Sequence, residues 1–188
     1  MNPTKCADGY YTLKSNAISS TECIICPAGS YCTCTLDATN SFCTDDTAIT
    51  DCPEGFFCEA GSTDGTTPCS EGFICPLGTY EEIPCPPGYT CDGTGNTDLT
   101  KVDCPAGSYC TGGSTTSTML TCSAGYYCAV NSKAMYPCEI GTYNPNTGAV
   151  DAAGCLPCPA GSTCTTRAQV ADDISGFSCE SGYYCEDD

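Results

Sequence analysis

Cys104-Pro105-Ala106-Gly107-Ser108-Tyr109-Cys110, and after it Cys122-Ser123-Ala124-Gly125-Tyr126-Tyr127-Cys128, hold the pattern on which the reading of this chain turns. The pattern C-x-x-G-x-x-C occurs eight times, opening at Cys26, Cys52, Cys69, Cys85, Cys104, Cys122, Cys158 and Cys179. Cys6, Cys75 and Cys138 open the same way without a closing cysteine. Proline after the first cysteine fixes φ, and the glycine two residues later permits the positive φ that closes a tight turn. The turn sets an aromatic ring beside a cystine. Loops of Thr, Ser, Gly, Asn and Asp separate the units, and no apolar stripe of helical period runs for more than a turn.

Composition agrees with a repeat that lacks a conventional core. Of 188 residues 22 are cysteine, while Leu, Ile, Val and Phe together number 23. So few large apolar residues ordinarily mean disorder; cysteine above about 8–10% means a disulfide scaffold instead. The expected fold is therefore small and disulfide-rich: an elongated rod of short irregular modules with two-stranded β pieces and essentially no helix. Three segments are expected. Residues 1–51 form a module with an inserted Cys34/Cys43 loop, 52–137 a central array, and 138–188 a module that repeats the cysteine spacing of the first.

An even cysteine count in this quantity belongs to an oxidising compartment, so an extracellular, cell-surface or secreted location is expected. A reduced zinc protein would want histidine and paired C-x-x-C knuckles. The chain has no histidine and two such pairs, Cys23/Cys26 and Cys155/Cys158, better read as neighbouring half-cystines. No apolar stretch is long enough to span a bilayer. Met1 to Asp8 has no apolar leader, which reads as a mature chain, a fragment or an incomplete start. The net charge is −18, with Lys5, Lys14, Lys101, Lys133 and Arg167 the only cations. That excludes nucleic acid as a partner and disfavours anionic membranes.

The spacing Cys6-x16-Cys23-x2-Cys26-x5-Cys32 recurs as Cys138-x16-Cys155-x2-Cys158-x5-Cys164. Loop closure by Cys6–Cys23 and Cys138–Cys155, with Cys34–Cys43 closing the insert, leaves sixteen cysteines in four groups of four. Pairing first with third and second with fourth gives Cys26–Cys52, Cys32–Cys58, Cys69–Cys85, Cys75–Cys91, Cys104–Cys122, Cys110–Cys128, Cys158–Cys179 and Cys164–Cys185. A rival scheme bridges consecutive motifs, as in Cys58–Cys69 and Cys75–Cys85, and strands Cys52. Sequence alone does not choose between them.

The run C-x-x-G-T-Y…C-x-x-C-P-A-G-S resembles ephrin-receptor-like cysteine-rich repeats and, more loosely, tumour-necrosis-factor-receptor modules. The C-P-A-G-[SY]-Y-C form looks like arrays in protist and algal surface proteins. The resemblance covers Cys6 to Cys185 and implies an extracellular disulfide-laddered scaffold, in which a loop-closing bridge is followed by a crossed pair. It transfers no catalytic residue.

No enzymatic machinery is expected. Without histidine neither a Ser-His-Asp nor a Cys-His constellation can form, and carboxylate pairs such as Asp45/Asp46, Glu81/Glu82 and Asp172/Asp173 lack an apolar pocket to raise a pKa. Ca²⁺ is the sole cofactor candidate, at Asp92, Asn96 and Asp98, but that loop departs from an EF-hand at its sixth and twelfth positions. Ser114, Thr115, Thr116, Ser117, Thr118, Thr66, Thr67, Thr165 and Thr166 are the expected O-glycan acceptors. In the aromatic pairs one ring covers a cystine and the other faces outward, making Tyr11, Phe57, Tyr127 and Tyr184 assembly candidates. The expected function is a non-enzymatic spacer or filament/wall subunit. Its partners are further copies of itself, head to tail or lateral, and attached glycans. The alternative is a ligand-binding or adhesive ectodomain of a larger receptor.

Overall fold

A computed structural model describes residues 6–12, 19–33, 49–159 and 162–171. It is a small, disulfide-rich, repeat-built fold. Among the described residues, helical conformation is confined to two 3₁₀ turns, Ser20–Glu22 and Ala152–Gly154, and to Ala171. The described strands form short antiparallel pairs. Tyr10–Tyr11 pairs with Ile24–Ile25, Ser30–Cys32 with Ile49–Asp51, and Phe73–Ile74 with Ile83–Pro84. Tyr89–Thr90 pairs with Val102–Asp103, Ser108–Tyr109 with Leu120–Thr121, Tyr126–Tyr127 with Tyr136–Pro137, and Thr142–Tyr143 with Leu156–Pro157. Each pair joins the arm just after a motif glycine to the arm just before a later cysteine.

The chain forms two compact units that interleave in sequence: Met1–Pro84 with Asp92–Lys101, and Cys85–Cys91 with Val102–Asp188.

Disulfide pairing corrects the crossed scheme. Cys6–Cys23 and Cys138–Cys155 are present as expected. The motif cysteines instead pair inside their own turn: Cys26–Cys32, Cys52–Cys58, Cys69–Cys75, Cys85–Cys91, Cys104–Cys110, Cys122–Cys128 and Cys158–Cys164. Thus Cys26–Cys52, Cys32–Cys58, Cys69–Cys85, Cys75–Cys91, Cys104–Cys122, Cys110–Cys128, Cys158–Cys179 and Cys164–Cys185 do not form, nor do the sequential Cys58–Cys69 and Cys75–Cys85. The reason is the turn itself. Gly107, at φ 86°, folds the chain so that Cys104 and Cys110 stand 6.0 Å apart at Cα, within bridging reach. Cys34–Cys43, Cys179 and Cys185 lie outside the described residues.

Within a unit, four backbone hydrogen bonds lock each repeat to the next. Gly88 N–H donates to Cys110 O (2.9 Å), Cys104 N–H to Gly88 O (3.0 Å), Cys91 N–H to Ser114 O (3.0 Å) and Gly113 N–H to Cys85 O (2.8 Å). One repeat on, Gly107, Cys122, Cys110 and Asn131 donate in the same way to Cys128, Gly107, Ser132 and Cys104. In the other unit Gly29, Cys52, Cys32 and Gly61 do so to Cys58, Gly29, Ser62 and Cys26. Equivalent residues of successive repeats are therefore related by one repeated operation, as in other solenoids.

The core is sulfur. Apart from Ile74, every buried apolar residue described is a half-cystine. A second buried column is polar: Thr79, Asn96, Ser114 and Ser132 follow the second turn of their repeats. Ser114 Oγ donates to Thr111 O (2.6 Å), Ser132 Oγ to Ala129 O (2.7 Å) and Asn96 Nδ2 to Gly93 O (2.9 Å), so these groups are paired where they are buried. Where the closing cysteine is missing, a polar residue fills its place. Thr12 does so after Cys6, and Asn144 after Cys138. Asn144 Nδ2 donates to Tyr126 O (2.8 Å), and its Oδ1 accepts from Asn146 N–H (2.9 Å).

Candidate functional surface

The positions singled out in the sequence are scattered. Of the calcium trio, Asn96 is turned inward on Gly93, and Asp98 Oδ1 pairs with Lys101 Nζ at 3.0 Å. Among the described residues no three acidic, histidine or cysteine groups gather as a cation site requires.

Of the O-glycan candidates, Ser114 and Thr115 are buried, and both are withdrawn as acceptors. Ser114 bonds back to Thr111, while Thr115 Oγ1 shares hydrogen bonds with Ser117 Oγ (2.9 Å) and Thr118 Oγ1 (3.1 Å). A sugar on either hydroxyl would force the turn open. Thr116, Ser117, Thr118, Thr66, Thr67, Thr165 and Thr166 are exposed. Thr66 is engaged nonetheless: its hydroxyl (2.6 Å) and N–H (3.1 Å) both donate to Asp64 Oδ1. These two bonds, the side-chain one first, hold the Asp64 carboxyl below the ordinary aspartate range.

The aromatic pairs differ in exposure from place to place. Tyr11, Phe57 and Tyr127 are half-buried, and Tyr10 is more exposed than Tyr11. Tyr184 lies outside the described residues. Tyr127 stacks on Tyr136 across its hairpin, with ring centroids 5.7 Å apart and planes inclined by 28°.

A different feature stands out, one that sequence reasoning missed. The residue two before a motif cysteine is Ile24, Ile83, Val102, Leu120, Tyr136 or Leu156, and all six are between 41% and 58% exposed. Thr50 and Thr67 occupy the same place elsewhere, and no such place in the sequence carries a charge. In a chain with 23 acids this is the signal that could have revealed it. Because one repeated set of bonds relates the repeats, Val102, Leu120, Tyr136 and Leu156 stand at equivalent positions of successive repeats within one unit. Their hairpin partners are Thr90, which is buried, and Tyr109, Tyr127 and Tyr143, which add half-buried aromatic surface. The result is an uncharged, exposed apolar column in the sense of repeat register: one such position per repeat.

A concavity of about 460 Å³ is lined by Gly78, Thr79, Tyr80, Glu81, Glu82, Ile83 and Pro84. It belongs to one hairpin loop, where Thr79 Oγ1 donates to Pro76 O and Glu82 is engaged by Ser70 N–H. No described helix is long and apolar enough to cross a membrane.

In comparisons with known proteins, the sequence matches no family model and no curated protein. The fold and its surface define the class: a small, cysteine-rich, disulfide-stabilised repeat protein. Its abundant disulfides point to an oxidising environment.

Proposed function

We propose that this chain is a non-enzymatic extracellular structural protein, a disulfide-laddered spacer or filament/wall subunit that associates with further copies of itself and carries O-glycans. The observation that carries the proposal is the uncharged apolar column. It repeats with the fold, in a chain whose net charge of −18 otherwise keeps copies apart. On a scale of about 200 Å² per large side chain, the exposed parts of the column and its tyrosine partners in one unit offer roughly 500 Å². Two such faces would reach the area a specific contact needs, about 1,000 Å² in total. The resemblance to ephrin-receptor-like repeats supports the scaffold role. The same column equally suits the alternative, a ligand-binding or adhesive receptor ectodomain. Electron microscopy of native material separates the two. Ordered fibres or sheets are expected; dispersed chains that instead capture a soluble partner would replace the first reading with the second.

A further inference from the structure

We infer that Tyr127 and Tyr136 form an oxidative coupling site, at which a one-electron oxidant of the haem-peroxidase class joins the two phenols into a dityrosine. The two rings are already stacked at 5.7 Å. Their backbones are opposite each other in an antiparallel register, Tyr127 facing Tyr136. One arm of that hairpin is closed by Cys122–Cys128; the other leads into Cys138, tied by Cys138–Cys155 and by its N–H on Gly125 O (2.9 Å). Tyr136 is 47% exposed, so an oxidant can reach it. Coupling normally waits on an encounter between two radicals; prepositioning makes it intramolecular.

Competing sinks are few. The chain has no tryptophan and no histidine, and among the described residues no cysteine is unpaired. Met135 adjoins the pair, its Sδ accepting from Ser123 N–H at 3.3 Å. Methionine gains oxygen when oxidised, whereas coupling removes hydrogen, so the two outcomes differ in mass.

The chemistry balances. Each phenol gives up one electron and one proton, leaving a phenoxyl radical with spin on the carbons ortho to oxygen. The two radicals combine, forming one carbon–carbon bond between ortho carbons. Each joined carbon then loses its hydrogen as a proton, its phenolic oxygen regains one, and both rings recover aromaticity. Two hydrogen atoms leave in all, and one molecule of hydrogen peroxide takes them up as two of water. The product would tie the Cys122 repeat to the repeat in which Asn144 replaces the closing half-cystine, supplying a covalent link beside the missing bridge.

The test uses the full chain with its disulfides intact, in dilute solution, with a haem peroxidase and one equivalent of hydrogen peroxide. The monomer is expected to lose the mass of two hydrogens and to acquire dityrosine fluorescence. Lys133 lies between the two tyrosines, so after reduction trypsin separates the peptides 102–133 and 134–167 unless Tyr127 and Tyr136 are joined. Tyr136→Phe, with its disulfide map checked as unchanged, should lose both the mass shift and the joined peptide. An unchanged monomer mass, coupling only between chains, a link mapped to other tyrosines, or a joined peptide from Tyr136→Phe would each overturn the assignment. In dilute solution the loss of two hydrogens from the monomer reads coupling within one chain, whether or not the chain assembles at higher concentration.

Discussion

Asn131 and Ala168 sit at φ 62° and 61°, in the left-handed region that the equivalent turns of other repeats give to glycine. For an L-residue this conformation costs about 1–2 kcal/mol, and asparagine tolerates it better than alanine. Ala168→Gly should therefore raise stability, by about 0.5–1 kcal/mol once the extra chain entropy of glycine is subtracted. The denaturant midpoint of the oxidised protein reads this, and a lower midpoint would contradict the strain. The reverse change is harsher. A Cβ on Gly125 would lie 2.2 Å from Ala168 O, whereas one on Gly93 meets no atom within 4 Å. Gly125→Ala should cost well over the roughly 1 kcal/mol expected of Gly93→Ala, which carries the backbone penalty alone. Asp64 offers a pH-dependent counterpart. Its folded pKa is lowered by Thr66, so the contribution of those bonds is complete above the unfolded aspartate value and fades as pH falls through the folded one. Thr66→Val removes the hydroxyl donor and should move the Asp64 carboxyl titration upward by NMR; an unmoved midpoint would refute the role of Thr66. The same loss is expected when Thr66 carries a glycan.

Each repeat is one turn, one bridge and one pair of short arms, and the bridges are where the sequence was hardest to read. The motif, the absence of helical periodicity and the two long closures at Cys6–Cys23 and Cys138–Cys155 were all legible, because spacing and turn chemistry are local. The short bridges were not. A chain with an even count balances its cysteines under crossed or local pairing alike, and only the three-dimensional path of a glycine turn shows that cysteines six apart meet. The polar stand-ins Thr12 and Asn144 carry no sequence mark for the same reason: the place of Asn144, for one, is set by its bond to Tyr126 O in the neighbouring repeat. Local pairing has a direct chemical consequence. Crossed bridges Cys158–Cys179 and Cys164–Cys185 would tie residues 134–167 to 168–188 across Arg167; Cys158–Cys164 does not. Trypsin on denatured, unreduced protein should thus separate these two segments, while Lys14 cleavage should leave its fragments joined through Cys6–Cys23. Segments that stay linked across Arg167 by Cys158 or Cys164 would restore the crossed scheme. In the chain-entropy account, removing Cys104–Cys110 should cost about 2 kcal/mol and removing the longer Cys138–Cys155 closure about 3 kcal/mol.

At the scale of the molecule two terms oppose one another, a net charge of −18 and the uncharged column that repeats along the fold. Repulsion between copies acts through solvent and is screened, with a Debye length of about 10 Å at 0.1 M salt and about 3 Å at 1 M. Burial of apolar side chains survives that salt. Self-association should therefore strengthen as salt rises, and also as pH falls toward the isoelectric region near 4.1, where the carboxylates lose charge. An assembly held by ion pairs would do the opposite with salt. Location can be tested independently of driving force. Leu120 and Leu156 are 47% and 41% exposed at column positions, while Val130, at 58%, comes after a closing cysteine and is not one of those positions. Covering a half-exposed leucine contributes roughly 1 kcal/mol at about 25 cal/mol per Å², and placing a carboxylate there adds a desolvation cost on top. Leu120→Asp with Leu156→Asp should hold the chain monomeric in sedimentation at a concentration and salt where the parent associates. Val130→Asp, which adds charge away from the column, should associate nearly as the parent does. Because all three sites are already solvent-facing, the disulfide map should be the same in every variant. Equal association of the double variant and the parent would remove the column from the contact, and with it the main support for a laterally assembling subunit.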